Sequence, residues 1–373
     1  MKTANLNLLD IRYLLIFAPI AFFGHQLFHV SDVPTFIMAG LAIVPLAHLI
    51  GEATEELAAR IGDTWGGLLN ATLGNAAELI ITVFALSAGK VELVRASLVG
   101  SIIGNLLLVM GFSLLLGGLK NGTQTFDKRH ASLNATMIIL VLMALAVPSF
   151  FDRAVLGQDP LLTDHAPAGV NLEQRELFFS EGIALILIVL YGLSLYYTFT
   201  NKDESVLKRE PVEVHKAHWT MRQALIVLTL ATLGIVVMSE TLVGAVEGVT
   251  EELNLSEFFI GIIVVPLIGN VAEHIVAIQV ALKNRMDLSM SISLGSSLQI
   301  ALFVAPVLVF LSLLFGEESK LLLVFNPYEL IALAVTAFVA ASVARDGESN
   351  WLEGAQLLAL YAIIGLAFFV LPS

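Results

Sequence analysis

Residues 74–80 read GNAAELI, and residues 269–275 read GNVAEHI, 195 positions further along the chain. Upstream of both, the tetrapeptide TEEL occurs at residues 54–57 and again at residues 250–253, an offset of 196 positions. Motifs that recur in the same order and at nearly the same spacing indicate that part of the chain is duplicated.

A third match lies downstream of these two. The offset of 195 positions carries Gly100-Ser101 onto Gly295-Ser296 without a gap. The duplication is therefore longer than any single motif, and one insertion separates its upstream and downstream matches.

The composition is typical of a membrane protein. Of the 373 residues, 57% are hydrophobic and only 14% are charged, whereas about a quarter of the residues in a soluble domain are charged. Lipid must therefore cover most of the surface. The chain has no cysteine, which excludes disulfides and thiolate metal sites. Its net charge of -13 argues against nucleic acid as a partner.

A helix that spans a bilayer needs about 20 apolar residues. Roughly eleven continuous apolar runs meet this requirement, at about 13–30, 34–60, 64–88, 91–118, 130–148, 177–200, 220–250, 257–283, 287–316, 326–344 and 351–371. The strands of a membrane barrel would instead alternate in polarity at every second residue. We therefore predict an all-α membrane protein with about eleven transmembrane helices.

The duplication maps spans two to six onto spans seven to eleven. Because five is odd, the second copy must enter the membrane upside down, and such inverted repeats are a transporter architecture with a binding site near the bilayer midplane. The predicted segments are an N-terminal transmembrane helix at 1–32, a first five-helix repeat at 33–200, a cytoplasmic linker at 201–218 and a second five-helix repeat at 219–373. The linker is interpreted as a solvated connection, with a regulatory ion-binding segment as the alternative.

The basic residues predict the orientation of the chain. With eleven spans, 14 of the 19 Lys and Arg residues fall on the side of the N-terminus. Cytoplasmic loops carry an excess of Lys and Arg, so the N-terminus is predicted to be cytoplasmic and the C-terminus to lie outside.

Two acidic side chains dominate the predicted midplane. Glu78 lies deep in the third span and Glu273 deep in the eighth, where a charged carboxylate costs several kcal/mol unless it is paired, solvated or protonated. Asn75 and Asn270 precede them by three residues and so share their helix faces. Carboxylate and amide oxygens form a hard ligand set that suits calcium. The alternative is a protonated glutamate that only joins two helices by a hydrogen bond.

Other polar side chains lie beside these motifs. Ser101, Ser296, Ser297 and Gln299 lie in the span that follows each motif and could supply further oxygen ligands, although serines in such spans also form ordinary interhelical hydrogen bonds. His274 follows Glu273 directly. It is either a packed, hydrogen-bonded histidine or a proton relay, since histidine titrates near neutral pH.

The two buried carboxylates predict how ions would be coupled. Burial and mutual repulsion disfavour their charged forms, so an empty pair should take up protons at neutral pH. A divalent cation would neutralise the pair equally well. Proton and calcium binding would then exclude one another, which predicts exchange.

Acidic helix faces predict paths for cations toward this site. The second span presents on one face His48, Glu52 and Glu55. The seventh span presents Glu240, Glu247 and Glu251. The alternative is that these are solvated helix ends. The interpretation as solvated helix ends applies chiefly to the glutamates of the two TEEL segments, because Glu52 and Glu240 lie deeper in their spans.

The two motifs resemble a known family. Residues 66–80, GGLLNATLGNAAELI, and residues 269–278, GNVAEHIVAI, are similar to the signature repeats of the calcium/proton exchanger family within the calcium/cation antiporter superfamily. The sodium/calcium branch of that superfamily carries a Pro-Glu pair in its repeats, where this chain has Ala77-Glu78 and Ala272-Glu273. The resemblance therefore implies protons as the counter-ion.

The resemblance also implies roles for individual residues. Glu78 and Glu273 would be the paired calcium and proton ligands, beside Asn75 and Asn270. The site would be completed by Ser101, Ser296 and Gln299. The short termini resemble those of prokaryotic members, so the resemblance implies a prokaryotic cell membrane as the expected location.

Other functions remain as alternatives. A sodium/calcium-type exchanger is the nearest, followed by a cation channel, although a channel needs a continuous pore of weak sites. An intramembrane enzyme is disfavoured because no His is followed by Glu, so the H-E-x-x-H motif is absent. The predicted function needs no cofactor, and its partners are the transported calcium and protons and the lipid bilayer. The sequence leaves open whether the chain forms a homo-oligomer.

Overall fold

The computed structural model describes residues 11–28, 30–61, 63–155, 172–200 and 218–371. Almost all of these residues are helical. Apart from His218, the predicted linker at 201–218 lies outside the described residues.

The first half of the sequence forms eight helices within the described residues: α1 (Phe17–Phe28), α2 (Asp32–Ile61), α3 (Asp63–Leu73), α4 (Ala76–Ser87), α5 (Val91–Ile103), α6 (Met110–Asn121), α7 (Lys128–Val155) and α8 (Leu172–Thr200). A 3₁₀ helix at Ile11–Ile16 leads into α1. A π-helical segment at Gly104–Val109 joins α5 to α6, so these two form one continuous rod.

The second half forms nine helices in its described part: α9 (Met221–Gly244), α10 (Val246–Leu253), α11 (Glu257–Phe259), α12 (Val265–Gly269), α13 (Val271–Leu282), α14 (Met286–Gln299), α15 (Ala305–Ser312), α16 (Pro327–Val343) and α17 (Trp351–Val370). A π-helical segment at Ile260–Val264 joins α11 to α12, and another at Ile300–Val304 joins α14 to α15. A 3₁₀ helix lies at Glu317–Ser319.

One small sheet accompanies the helices. Strands β1 (Gln124–Thr125) and β2 (Glu348–Ser349) pair antiparallel, with Gln124 opposite Ser349. The strand β2 lies just before α17, which begins at a capping box formed by Asn350 and Glu353. In such a box each side chain binds the backbone N–H of the other residue.

The chain is a multi-spanning integral membrane protein. Seven stretches of helix in the described residues are long and apolar enough to cross a bilayer, and an eighth crossing results if the bent pair Glu257–Gly269 and Val271–Leu282 is one span. On α8, the side chains of Leu185, Ile186 and Leu193 are more than half exposed, as expected where lipid replaces water. The predicted number of about eleven spans is a finer statement and stays a prediction.

The chain divides into two compact units. The first comprises Met1–Ile81 and Ala217–Asn254, and in it α2 packs along α9. The buried carboxylate of Glu56 accepts hydrogen bonds from the backbone N–H groups of His218 and Trp219, at 3.2 and 2.9 Å. One acidic side chain of the first TEEL segment therefore holds the chain that leads into α9, rather than facing solvent.

The second unit comprises Thr82–Lys216 and Leu255–Ser373. In it α6 packs against α17, with Gly111 and Gly118 facing that helix. The helix α5 packs so closely on the π-helical segment Ile260–Val264 that a Cβ atom on Gly100 would overlap the carbonyl oxygen of Ile262. Small residues at such contacts let helix backbones approach one another inside a membrane.

Candidate functional site

Both copies of the Gly-Asn motif lie where a helix is interrupted. The helix α3 ends at Leu73, Gly74 and Asn75 form a turn, and α4 begins at Ala76. In the second copy Asn270 separates α12 from α13 with a backbone φ of -105° and ψ of 7°. The helix axes on its two sides differ in direction by 59°.

These interruptions determine where the two glutamates lie. Glu78 is in the first turn of α4, and Glu273 is in the first turn of α13. The first turn of a helix carries unpaired N–H groups and a partial positive charge, which favours a carboxylate. Each interruption therefore provides a position where an acidic group inside the membrane costs less than in the middle of a helix.

In the second unit, Glu273 is bound by a chain of side-chain hydrogen bonds. The Ser296 hydroxyl donates to Oε2 of Glu273 at 2.7 Å, and Nδ2 of Asn105 donates to the Ser296 Oγ at 3.0 Å. Asn105 and Ser296 are buried, and Glu273 is partly exposed. Hydrogen bonds thus join three side chains in series, namely Asn105 of the π-helical segment, Ser296 of α14 and Glu273 of α13.

A second hydrogen bond in the same unit joins the other predicted ligands. Nδ2 of Asn270 donates to the Ser101 Oγ at 3.0 Å, and both side chains are buried. Since Asn270 precedes Glu273 by three residues and Ser101 precedes Asn105 by four, the two hydrogen-bonded groups are neighbours. The second unit therefore brings together four predicted site residues and Asn105.

The Asn and Glu of the first motif copy belong to the first unit. Asn75 and Glu78 are buried there, with Glu78 only 1% exposed. The pairing of Glu78 with Glu273 stays a prediction from the sequence repeat.

Three other predicted residues flank Glu273 and Ser296. The Ser297 hydroxyl donates to the carbonyl oxygen of Ser293 within its own helix at 2.9 Å, which fits its structural interpretation. Gln299 is partly buried at the end of α14. His274 is buried in the first turn of α13.

In the predicted cation pathway, Glu52 lies beside two basic side chains. The Arg12 guanidinium donates to both carboxylate oxygens of Glu52 at 2.8 Å, and Nε2 of His48 lies 3.5 Å from Oε1 of the same carboxylate. The side chains of Glu55, Glu240, Glu247 and Glu251 are exposed. Glu240 lies four residues before the end of α9 at Gly244.

The ligand types available around Glu273 suit calcium better than a transition metal. Across the described residues, no three His, Asp or Glu side chains come close enough together to hold a metal ion. The group around Glu273 instead combines a carboxylate with amide and hydroxyl oxygens, which are ligands that calcium accepts.

Sequence reasoning missed Asn105. Its signal was present, because it is an amide within the otherwise apolar stretch 102–109, where a polar side chain is expensive. The repeat did not reveal it, since the position 195 residues further on is Ile300.

Comparison with known proteins places these residues in a family context. A model of the family described as sodium/calcium exchanger protein matches residues 32–200 and 223–370. The two matched ranges together include every residue of both Gly-Asn motifs.

Individual relatives match over nearly their whole length. A Ca²⁺/H⁺ antiporter of Aphanothece halophytica is 43% identical, over 96% of this chain and 96% of its own. The Ca²⁺/H⁺ antiporter ChaA of Bacillus subtilis is 40% identical, over 95% of this chain and 96% of its own. The solved structure of native YfkE superposes with a TM-score of 0.80 at 38% identity and covers 97% of this chain and 100% of that one.

Proposed function

The chain belongs to the sodium/calcium exchanger protein family, and from this premise we propose how it works. It is a secondary antiporter that exchanges calcium for protons across a membrane. Relatives that are 40% and 43% identical over nearly the full chain carry the name Ca²⁺/H⁺ antiporter. The fold is that of native YfkE.

Glu78 and Glu273 are the residues that bind the transported ions in this proposal. The observation that carries it is that each copy of the motif sets one glutamate in the first turn of a helix that restarts after an interruption. Asn75, Asn270, Ser101, Ser296 and Gln299 are the further oxygen ligands. The proton-coupling role of His274 and the cation pathway over Glu52, Glu55, Glu240 and Glu247 complete the proposal.

The coupling follows from charge. A carboxylate inside the membrane is tolerated when it is neutralised, and either protons or one divalent cation can neutralise a pair of them. Since both compete for the same oxygens, a site loaded with calcium releases its protons and a protonated site releases calcium. An empty, charged site is too costly to move across the bilayer, so neither ion leaks alone.

The proposal also includes the number, arrangement and orientation of the membrane spans. We infer about eleven spans, with one N-terminal helix followed by two inverted five-helix repeats. The N-terminus is cytoplasmic and the C-terminus lies outside. The chemistry at the centre requires that the site be reached alternately from the two sides.

Sodium in place of protons is the second candidate, because the family name includes sodium/calcium exchange. The residues before the two glutamates, Ala77 and Ala272, differ from the Pro-Glu pair of that branch and favour protons. The experiment must therefore offer both counter-ions.

Purified protein in proteoliposomes tests the function directly. Calcium added on one side should drive protons across the membrane, at a rate that does not change when sodium replaces choline. Glu78→Gln and Glu273→Gln should each lower this exchange to the level of protein-free vesicles, because a neutral amide can neither release a proton nor offset a divalent charge. Glu318→Gln, an exposed position outside the site, should exchange normally.

Two results would contradict the proposal. Normal calcium-driven proton movement in either site variant would remove that glutamate from the mechanism. Calcium movement that requires sodium and moves no protons would replace the proposed counter-ion.

A further inference from the structure

We propose that Asn105 is a positioning residue that sets the Ser296 hydroxyl as a hydrogen-bond donor to Glu273 and so holds this carboxylate for the cation. The inference rests on the proposed role of Glu273. It adds a residue that does not itself need to contact the ion. The 3.0 Å contact from Asn105 to Ser296 and the 2.7 Å contact from Ser296 to Glu273 are its basis.

The direction of these hydrogen bonds follows from the chemistry of the groups. The amide nitrogen of Asn105 can only donate, whereas a hydroxyl has one proton and two lone pairs. Because Ser296 accepts from Asn105, its own proton points to the carboxylate of Glu273. Were the amide oxygen of Asn105 turned toward Ser296 instead, it would compete with Glu273 for that single proton.

The surroundings of Asn105 favour this arrangement. Its side chain is 1% exposed and is flanked along the chain by Gly104 and Leu106. A buried amide without a partner costs about 1–3 kcal/mol, so the Ser296 contact holds the amide in place. The residue also lies in the π-helical segment Gly104–Val109, a type of distortion that occurs often at functional sites.

The two halves of the duplication differ at this point. The counterpart of Asn105 is Ile300, which has no hydrogen-bonding side chain. The counterpart of Ser296 is Ser101, which receives its amide donor from Asn270. Asn105 itself thus has no polar counterpart in the second half of the duplication.

The experiment is a double-mutant cycle on the full-length protein. The variants are Asn105→Leu, which keeps the size and removes the donor, Ser296→Ala, and both together. Calcium binding is measured by isothermal titration in detergent, and the KM for calcium and the maximal rate are measured in proteoliposomes. We expect Asn105→Leu to weaken calcium binding and raise KM about tenfold, the effect of one lost buried hydrogen bond, with a smaller change in the maximal rate.

The double-mutant cycle distinguishes a positioning role of Asn105 from a general effect of its side chain on packing. If Asn105 acts through Ser296, adding Asn105→Leu to Ser296→Ala should change calcium binding less than twofold, because interacting residues are not additive. The same tenfold loss in both backgrounds, or unchanged binding in Asn105→Leu alone, would overturn the inference. Ser113→Ala, another buried hydroxyl in the same rod of α5 and α6, is the control and should bind calcium normally.

Two further variants keep the test decisive. Asn105→Ala also removes the donor and adds no charge beside Glu273, so it carries the same test if Asn105→Leu does not assemble. Glu273→Gln is measured in parallel. Normal calcium binding by Glu273→Gln would contradict the proposed function itself, whereas loss of binding there with normal binding in both Asn105 variants would contradict only the role of Asn105.

Discussion

Glu273 illustrates how this chain places an acidic side chain inside a membrane. The restart of the helix after Asn270 supplies the partial positive charge of its first turn, and Ser296 supplies one hydroxyl proton. Neither feature is a full counter-charge. These two groups therefore hold the carboxylate in position without permanently neutralising it, as its proposed role in binding and releasing a cation requires.

Glu52 differs from Glu273 because it already has a cationic partner. Its pair with Arg12 is partly exposed, with side-chain exposures of 29% and 49%, and such pairs contribute little to folding. We expect Glu52→Gln to raise the KM for calcium several-fold and to keep most of the maximal rate, since Glu52 would no longer offset the positive charge of Arg12 toward the cation. Calcium uptake as a function of calcium concentration measures both values.

A second variant separates the charge of Arg12 from direct binding by Glu52. Arg12→Gln combined with Glu52→Gln should recover much of the lost affinity if repulsion by Arg12 is the cause. Complete loss of uptake in Glu52→Gln alone would instead place Glu52 in the central site.

At the residue scale, the sequence repeat predicted the group around Glu273 apart from one member. Ser101, Asn270, Glu273 and Ser296 were found because each has a polar counterpart at the same offset. Asn105 has no such counterpart. Its partner Ser296 lies 191 positions away, and a contact over that separation is not visible in one sequence.

Among the helices, the contact of α5 with the π-helical segment Ile260–Val264 leaves no room for a side chain. We expect Gly100→Ala to destabilise the protein by about 1–3 kcal/mol, because the new methyl group would overlap a backbone carbonyl oxygen, which cannot turn away as a side chain could. Thermal unfolding in detergent, followed by the loss of the monodisperse peak in size-exclusion chromatography, measures the effect.

The control for this prediction lies in the same rod. A Cβ on Gly104 would meet no atom within 4 Å, so Gly104→Ala should unfold at nearly the wild-type temperature. Equal unfolding temperatures for the Gly100 and Gly104 variants would show that the close approach of the two backbones is not needed.

The sequence predicted where helices lie better than where they are interrupted. The apolar run at about 64–88 contains two helices, α3 and α4, and the run at 257–283 contains α11, α12 and α13 with one π-helical segment. Hydropathy averages over about 20 residues, whereas a turn such as Gly74-Asn75 occupies two. The π-helical segments were not predicted from the sequence.

For the molecule as a whole, the apolar composition correctly predicted a protein with many membrane spans. The exact number does not follow from composition, because the length of a short apolar helix does not show whether it crosses the membrane. The described helices Ala76–Ser87 and Pro327–Val343 are apolar but fall below the length expected for a full crossing. If these helices cross the membrane, neighbouring segments complete the crossing. One sequence does not show which segments those are.

The orientation can be tested because the chain has no cysteine, so a single introduced thiol is the only one present. Thr123→Cys and Glu318→Cys place it at two exposed positions on opposite sides of the predicted topology. In intact cells, a membrane-impermeant maleimide should label Glu318→Cys at once and Thr123→Cys only after permeabilisation. The reverse pattern would invert the chain, and labelling of both from one side would change the number of spans.

The π-helical segment Gly104–Val109 also determines how the chain can vary in length. A π turn holds one residue more than an α turn, and each residue of an α-helix advances the rotation by roughly 100°. Deleting one residue there other than Asn105 would convert the π turn into an α turn and leave Gly111 and Gly118 facing α17, whereas a deletion in the regular part of α5 would turn α6 about its axis. This one turn therefore accommodates an extra residue without changing which side of a whole helix meets its neighbour, and a single-residue deletion should be tolerated better there than in the regular turns on either side.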